Sequence, residues 1–172
     1  LRPHGRHQEV IAVDTNFLVY ARRNEAIHHA EARRLLAELS EGLRPWAIPW
    51  PCVYEFLRVV THPRVFNPPT QLSIALEDLD LLFDSPAITL LGEGPGHRTH
   101  LRSMVTAGRA TGNVAHDAHI AALLREHGIR EFWTTDKDFH RFPGIAVRSP
   151  FTADAVHETR VKYRVRRAER RR

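Results

Sequence analysis

The chain has 172 residues, 42% of them hydrophobic and 26% charged, the size and make-up of one globular domain with one core. It has no apolar run near the ~20 residues needed to span a bilayer and no apolar secretory segment in its first ten residues, LRPHGRHQEV, so a soluble, cytoplasmic protein is expected. Its single cysteine, Cys52, excludes an internal disulfide and a CxxC zinc pattern, and the formal charge of +5 is local, because residues 160–172 (RVKYRVRRAERRR) hold eight Arg or Lys against one Glu.

The expected organisation is an extension over 1–8, one domain over 9–150 and a basic tail over 151–172. That tail reads either as a phosphate-binding arm or as a solvated end. A strand is expected at 9–13 (EVIAV), and it stops abruptly at Asp14, Thr15 and Asn16. A helix-period segment follows at 25–41, with Ala32, Leu35, Leu36 and Leu39 on one face and Gly42 as its stop. Next come a strand at 46–49 (WAIP) and a helix at 51–60 carrying Val53, Phe56, Leu57 and Val60. The spacing predicts a helix at 70–83 with Thr70 as N-cap and Leu72, Leu76, Leu79 and Phe83 turned inward, then a strand at 87–91. LGEGPGH at 91–97 lacks the Lys and Ser/Thr of a phosphate loop and reads as a plain loop. Helices at 97–107 (Leu101, Val105) and 113–127 (Val114, Ala118, Ala121, Leu124, stopped by Gly128) precede strands at 131–135 (EFWTT) and 145–147.

Strands alternating with helices of this length define an α/β domain with a central, mostly parallel five-stranded sheet covered by helices. In such sheets, sites form outside the carboxyl ends of the strands. Asp14 ends the first strand and Asp136 follows the fourth, so both carboxylates emerge at one edge. Glu55 is offset from the apolar stripe of its helix, and Asp117 lies about one turn into the helix opened by Asn113, beside its apolar face. Taken singly, each has a plain structural role: DTN as an Asx turn or cap, Glu55 paired with Arg58, TTDKDF as a polar turn. Together they are four acids at equivalent strand ends, whose mutual repulsion calls for protons or a divalent cation. Oxygen ligands select Mg2+ or Mn2+, which brings water activation and phosphodiester hydrolysis within reach.

Four blocks, IAVDTNFLVYA, EFLRVVTHPRVF, GNVAHDAHIAALLREHG and TTDKDFHRFPG, resemble in order those of PIN-domain ribonucleases, and most of all the VapC toxins of bacterial VapBC toxin–antitoxin pairs. The resemblance spans roughly residues 9–150. It implies a PIN-like fold, Mg2+-dependent cleavage of RNA, homodimerisation, and a VapB-type antitoxin whose segment occupies the cleft. Carried onto this chain, it implies Asp14 and Asp117 as metal ligands, Glu55 and Asp136 as completing the catalytic set, and Asp138 as a further candidate. Thr15, Asn16 and Thr135 would orient the carboxylates.

Other features have plainer readings. His116 and His119 flank Asp117, and His28 adjoins His29, but no second pair has a route to a shared zinc, so surface or supporting roles are expected. Arg58 and Lys137 suit either the scissile phosphate or compensation of neighbouring acids. Trp46, Trp50 and Trp133 are expected to pack in the core. Against the ribonuclease stand a noncatalytic RNA- or protein-binding module on the same fold, a phosphate-accepting receiver domain, which TTDKDF fits poorly, and a DNA-directed nuclease.

Overall fold

The apolar runs become strands because Ile, Val, Ala and Trp side chains on both faces of a parallel sheet are buried by helices. In the computed structural model, which describes residues 9–151, β1 (Ile11–Val13), β2 (Trp46–Pro49), β3 (Ile88–Leu91), β4 (Glu131–Trp133) and β5 (Ala146–Arg148) form one sheet in the order β3-β2-β1-β4-β5. Every neighbouring pair is parallel. Ile11, Ala12, Val13, Trp46, Ala47, Ile48 and Phe132 are fully buried, which places the core on the three central strands. The 1–8 extension and the tail beyond 151 lie outside the described residues, and no helix among those described is long and apolar enough to cross a membrane.

The helices are α1 (Thr15–Arg22), α2 (His29–Glu41), α3 (Trp50–Val60), α4 (Leu72–Phe83), α5 (His97–Ala107) and α6 (Val114–Glu126), with a 3-10 turn at Lys137–Arg141. Packing joins α1 to α2 and α3, α3 to α4, and α5 to α6. Five of the six were expected; α1, which holds the β-formers Phe17, Val19 and Tyr20, was not. Its helix is set from outside by Asp14, an extended N-cap residue (φ −88, ψ 165) whose side chain accepts from the Thr15 N–H.

The phase of α4 differs from the expectation. Ala75, Leu79 and Leu82 are buried, whereas Leu72 is 60% and Leu76 44% exposed. LSIALEDLDLLF is apolar on more than one face, and the small Ala75 side faces inward. Thr70 is not the N-cap either. That position is Gln71, without a side-chain bond; the Thr70 N–H donates to the Val60 carbonyl at 2.8 Å, and its hydroxyl accepts from Arg23 at 2.9 Å. Trp46 is a core residue, its Nε1–H donating to Ser85 Oγ at 3.1 Å, while Trp50 and Trp133 are half-buried.

Candidate active site

β1 is the middle strand, with β2 on one side and β4 on the other. From β1 the chain runs through α1 and α2 to β2, and from β4 it runs the opposite way to β5. Connections therefore part above the β1–β4 boundary, opening a crevice at the carboxyl ends. Asp14 stands at its floor, directly after β1, still tied into the sheet by its N–H to Trp133 O at 3.0 Å, and only 6% exposed.

Its carboxylate is held on both oxygens. Oδ1 accepts from the Thr15 N–H at 2.7 Å, and Oδ2 accepts from the Thr134 hydroxyl at 2.6 Å and the Asn16 amide at 2.9 Å. Thr134 Oγ1 also accepts from Asn16 Nδ2 at 3.0 Å and from the Asp136 N–H at 2.9 Å. One hydroxyl thus links the acid after β1 to the acid after β4. This corrects the choice of Thr135 as the orienting threonine. Side chains alternate along an extended segment, and Thr134, 2% exposed, shares the inward side of Phe132.

Glu55, on α3, meets the same cluster through Thr15, whose hydroxyl donates to Glu55 Oε2 at 3.1 Å. His116 Nε2 lies 3.5 Å from that oxygen, and Arg58 donates to Oε1 at 2.8 Å. Arg58 is thereby engaged in compensating Glu55, and His116 has a supporting place beside it. Asp136 caps the 3-10 turn, Oδ1 accepting from the Asp138 N–H at 2.8 Å. Asp138 turns its own carboxylate toward Arg141, at 3.4 Å. His28 and His29 are elsewhere, the first stacked on Phe151 with centroids 4.3 Å apart, the second with Nδ1 2.9 Å from Tyr20 O.

The charges divide into two kinds. Asp14 is pushed up to about 6, chiefly by burial, with Glu55 and Asp136 adding to the push and the bonds from Thr134 and Thr15 opposing it. Asp117 is pushed up to about 7 by burial and then by the negative charges of Asp136 and Asp14, relieved slightly by His116. Glu55 goes the other way: burial raises it, but His116, Thr15 and Arg58 outweigh burial and hold it below the usual carboxylate range. His116 is raised, first by its bond to Glu55. Cys52, whose Sγ lies 3.7 Å from Asp14 Oδ1, has a thiol driven well up by burial and by that carboxylate, so it stays protonated.

A hard divalent cation fits this edge. The acids offer only oxygen, Asn16 Oδ1 is buried without a hydrogen-bond partner, and the raised Asp14 and Asp117 are short of positive charge. No three of the four acids bring their oxygens within 4.8 Å of one another, however; the trio of described residues that does so is Glu93, His97 and His119. A group able to hold a metal through carboxylate and imidazole therefore exists that sequence reasoning missed. The flanking of Asp117 by His116 and His119 drew attention to the wrong pair.

The PIN domain model matches residues 11–145. Ribonuclease VapC48 of Mycobacterium tuberculosis is 33% identical over 139 residues, covering 81% of this chain and 96% of the relative. Ribonuclease VapC43 of the same species is 36% identical over 141 residues, 82% of this chain and 95% of the relative. Among solved structures, Mycobacterium tuberculosis VapC20, described as a Sarcin-Ricin loop cleaving toxin, superposes with a TM-score of 0.58 at 18% identity, over 81% of this chain and 99% of that one. VapBC2 from Rickettsia felis, bound to a DNA fragment from its promoter, gives 0.57 at 17% identity, over 81% and 97%. Those two structural likenesses speak to fold.

Proposed function

Because the chain belongs to the PIN-domain family, we propose that it is the toxin of a type II toxin–antitoxin pair, an endoribonuclease that hydrolyses RNA phosphodiester bonds with Mg2+ or Mn2+. The observation that carries this reading is the underneutralised pair of buried Asp14 and half-buried Asp117 at the β1–β4 crevice, with Glu55 and Asp136 beside it. Curated relatives matched over almost their whole length and named as ribonucleases support it.

Asp14 and Asp117 are the residues that would hold the ion, with Asp136 at the rim. A cation bound there supplies Lewis acidity, lowering the pKa of a water and countering charge that develops on the phosphate. Thr134, Asn16 and the Thr15 N–H hold Asp14 in one orientation, as supporting donors around a ligand do. Glu55 stays ionised at neutral pH and accepts hydrogen bonds from the reacting water, and His116, raised toward its protonated form, keeps Glu55 in place.

The same shortage of positive charge recognises the antitoxin: an Arg or Lys of a VapB-type segment, seated among the acids, neutralises them in place of the ion. A homodimer fits the exposed apolar face of Leu72 and Leu76, one turn apart on α4. The domain proper is residues 9–150, with the basic tail as an arm for RNA phosphates. The test is cleavage of labelled RNA by the full chain with Mg2+ or Mn2+. Asp14→Asn and Asp117→Asn should each lose more than about 100-fold, since losing even a supporting partner costs ~10–100-fold. Full activity in either variant overturns the site, and wild-type protein that binds RNA without cutting it makes the chain a noncatalytic binder.

A further inference from the structure

Glu93, His97 and His119 come from three separate places: the loop after β3, the first residue of α5 and the middle of α6. One donor atom from each lies within 4.8 Å of the other two. His119 Nε2 is 3.0 Å from Glu93 Oε1, and the His97 and His119 rings meet edge to face, centroids 5.1 Å apart. His97 is only 8% exposed. Its Nδ1 is 3.2 Å from Glu126 Oε2, and its Nε2 is buried without a hydrogen-bond partner, a state that buried polar atoms rarely keep unless something else satisfies them.

Glu126 is itself fixed. Its Oε2 accepts from the Gly94 N–H at 3.1 Å and its Oε1 from the Gly96 N–H at 2.9 Å. A Cβ at Gly94 would stand 2.6 Å from Oε1, so a side chain there would push the carboxylate off both donors. Gly94 thus lets the loop close around a carboxylate. The result is a ring with one nitrogen held by a carboxylate and the other left over, the arrangement that sets tautomer and basicity in metal-binding histidines.

We propose that Glu93, His97 and His119 form a second metal site, selective for Zn2+ over Mg2+, with Glu126 as the positioning residue behind His97. Two imidazoles and one carboxylate are a borderline-soft donor set, which suits Zn2+ and leaves Mg2+ to the all-oxygen edge. Three protein donors leave the fourth tetrahedral position to water. The ion ties the loop after β3 to both α5 and α6, so it acts on stability and does not depend on the ribonuclease reading.

The test uses the untagged full chain, stripped by chelator, titrated with Zn2+ by calorimetry and with Co2+ as a visible reporter of imidazole ligation. We expect one high-affinity Zn2+ per chain and a rise in melting temperature on binding. Glu93→Gln and His119→Gln should each weaken that affinity by at least about 10-fold, and His119→Gln, which removes an imidazole, should also change the Co2+ bands. Asp117→Asn should leave both unchanged. Glu93 is exposed, so its substitution probes ligation without disturbing the core. Absence of high-affinity Zn2+ binding overturns the proposal, as does an affinity that neither substitution weakens or binding that disappears in Asp117→Asn.

Discussion

α6 carries a carboxylate near each end, and the fold treats the two in opposite ways. Near its start, Asp117 faces Asp136 and Asp14 and is pushed up to about 7 by burial and by those charges. At its last residue, burial also works against Glu126, but the Gly94 N–H, His97 and the Gly96 N–H outweigh it and hold that carboxyl below the usual range. The protein answers the charge of Glu126 with its own dipoles and leaves that of Asp117 and Asp14 wanting. An enclosed carboxylate that the chain declines to neutralise is a place prepared for an outside cation, whether metal ion or basic side chain.

The contrast breaks most readily at the hydroxyl that holds Asp14. Thr134→Val removes the donor to Asp14 Oδ2 and the acceptor for Asn16 and the Asp136 N–H, so RNA cleavage should fall ~10–100-fold at saturating substrate. Thr135→Val should stay near wild type. Equal losses in the two variants would refute the assignment of Thr134 as the link between β1 and β4.

A thermal measurement sharpens the same contrast. Burial pushes Asp14 up to about 6 and Asp117 up to about 7, against ~3.9 in the unfolded chain. The folded state therefore holds protons that the unfolded state releases, and the stability they contribute is present below pH ~4 and is lost as pH climbs through the folded values. Melting temperature in chelator should decline over that window. Asp117→Asn should flatten the decline and melt a few degrees above wild type at pH 7. Mg2+ should narrow the gap between the two proteins. A variant that melts lower than wild type at pH 7 would show that Asp117 serves the fold rather than the site.

The compensated end of α6 should yield the smallest effect. Gly94→Ala displaces Glu126 from its two N–H donors, so melting temperature should fall by less than Asp117→Asn raises it. Turnover of RNA should be unchanged. A large loss of cleavage from Gly94→Ala would mean that the two ends of α6 are coupled after all.

Much of the acid edge was legible because strand ends announce themselves. An apolar run that stops at DTN, and another that stops at TTD, place their carboxylates at one edge in any parallel sheet. Glu55 and Asp117 were legible from their offset from apolar helix stripes. Thr134 was not, because TT offers the same residue twice and the inward one is chosen by the phase of β4, which Phe132 sets. α1 was not foreseen: Phe17, Val19 and Tyr20 favour strands, and its helical state follows from the Asp14 cap and from packing against α2 and α3. Leu72 and Leu76 were misplaced because α4 has apolar residues on more than one face, and only its neighbours select which face is buried.

By itself, the sequence determined the α/β class, the parallel alternation and the edge where four acids gather, since these depend on periodicity and on where hydrophobic runs end. Tertiary structure decided which acids are compensated: Glu55 through His116 and Arg58, Glu126 through the glycine loop, Asp14 and Asp117 insufficiently. It also decided that Glu93, His97 and His119 converge. Burial and charge compensation are sums over neighbours distant in the chain, and those neighbours are assigned only when α5 and α6 pack and the loop after β3 closes over them.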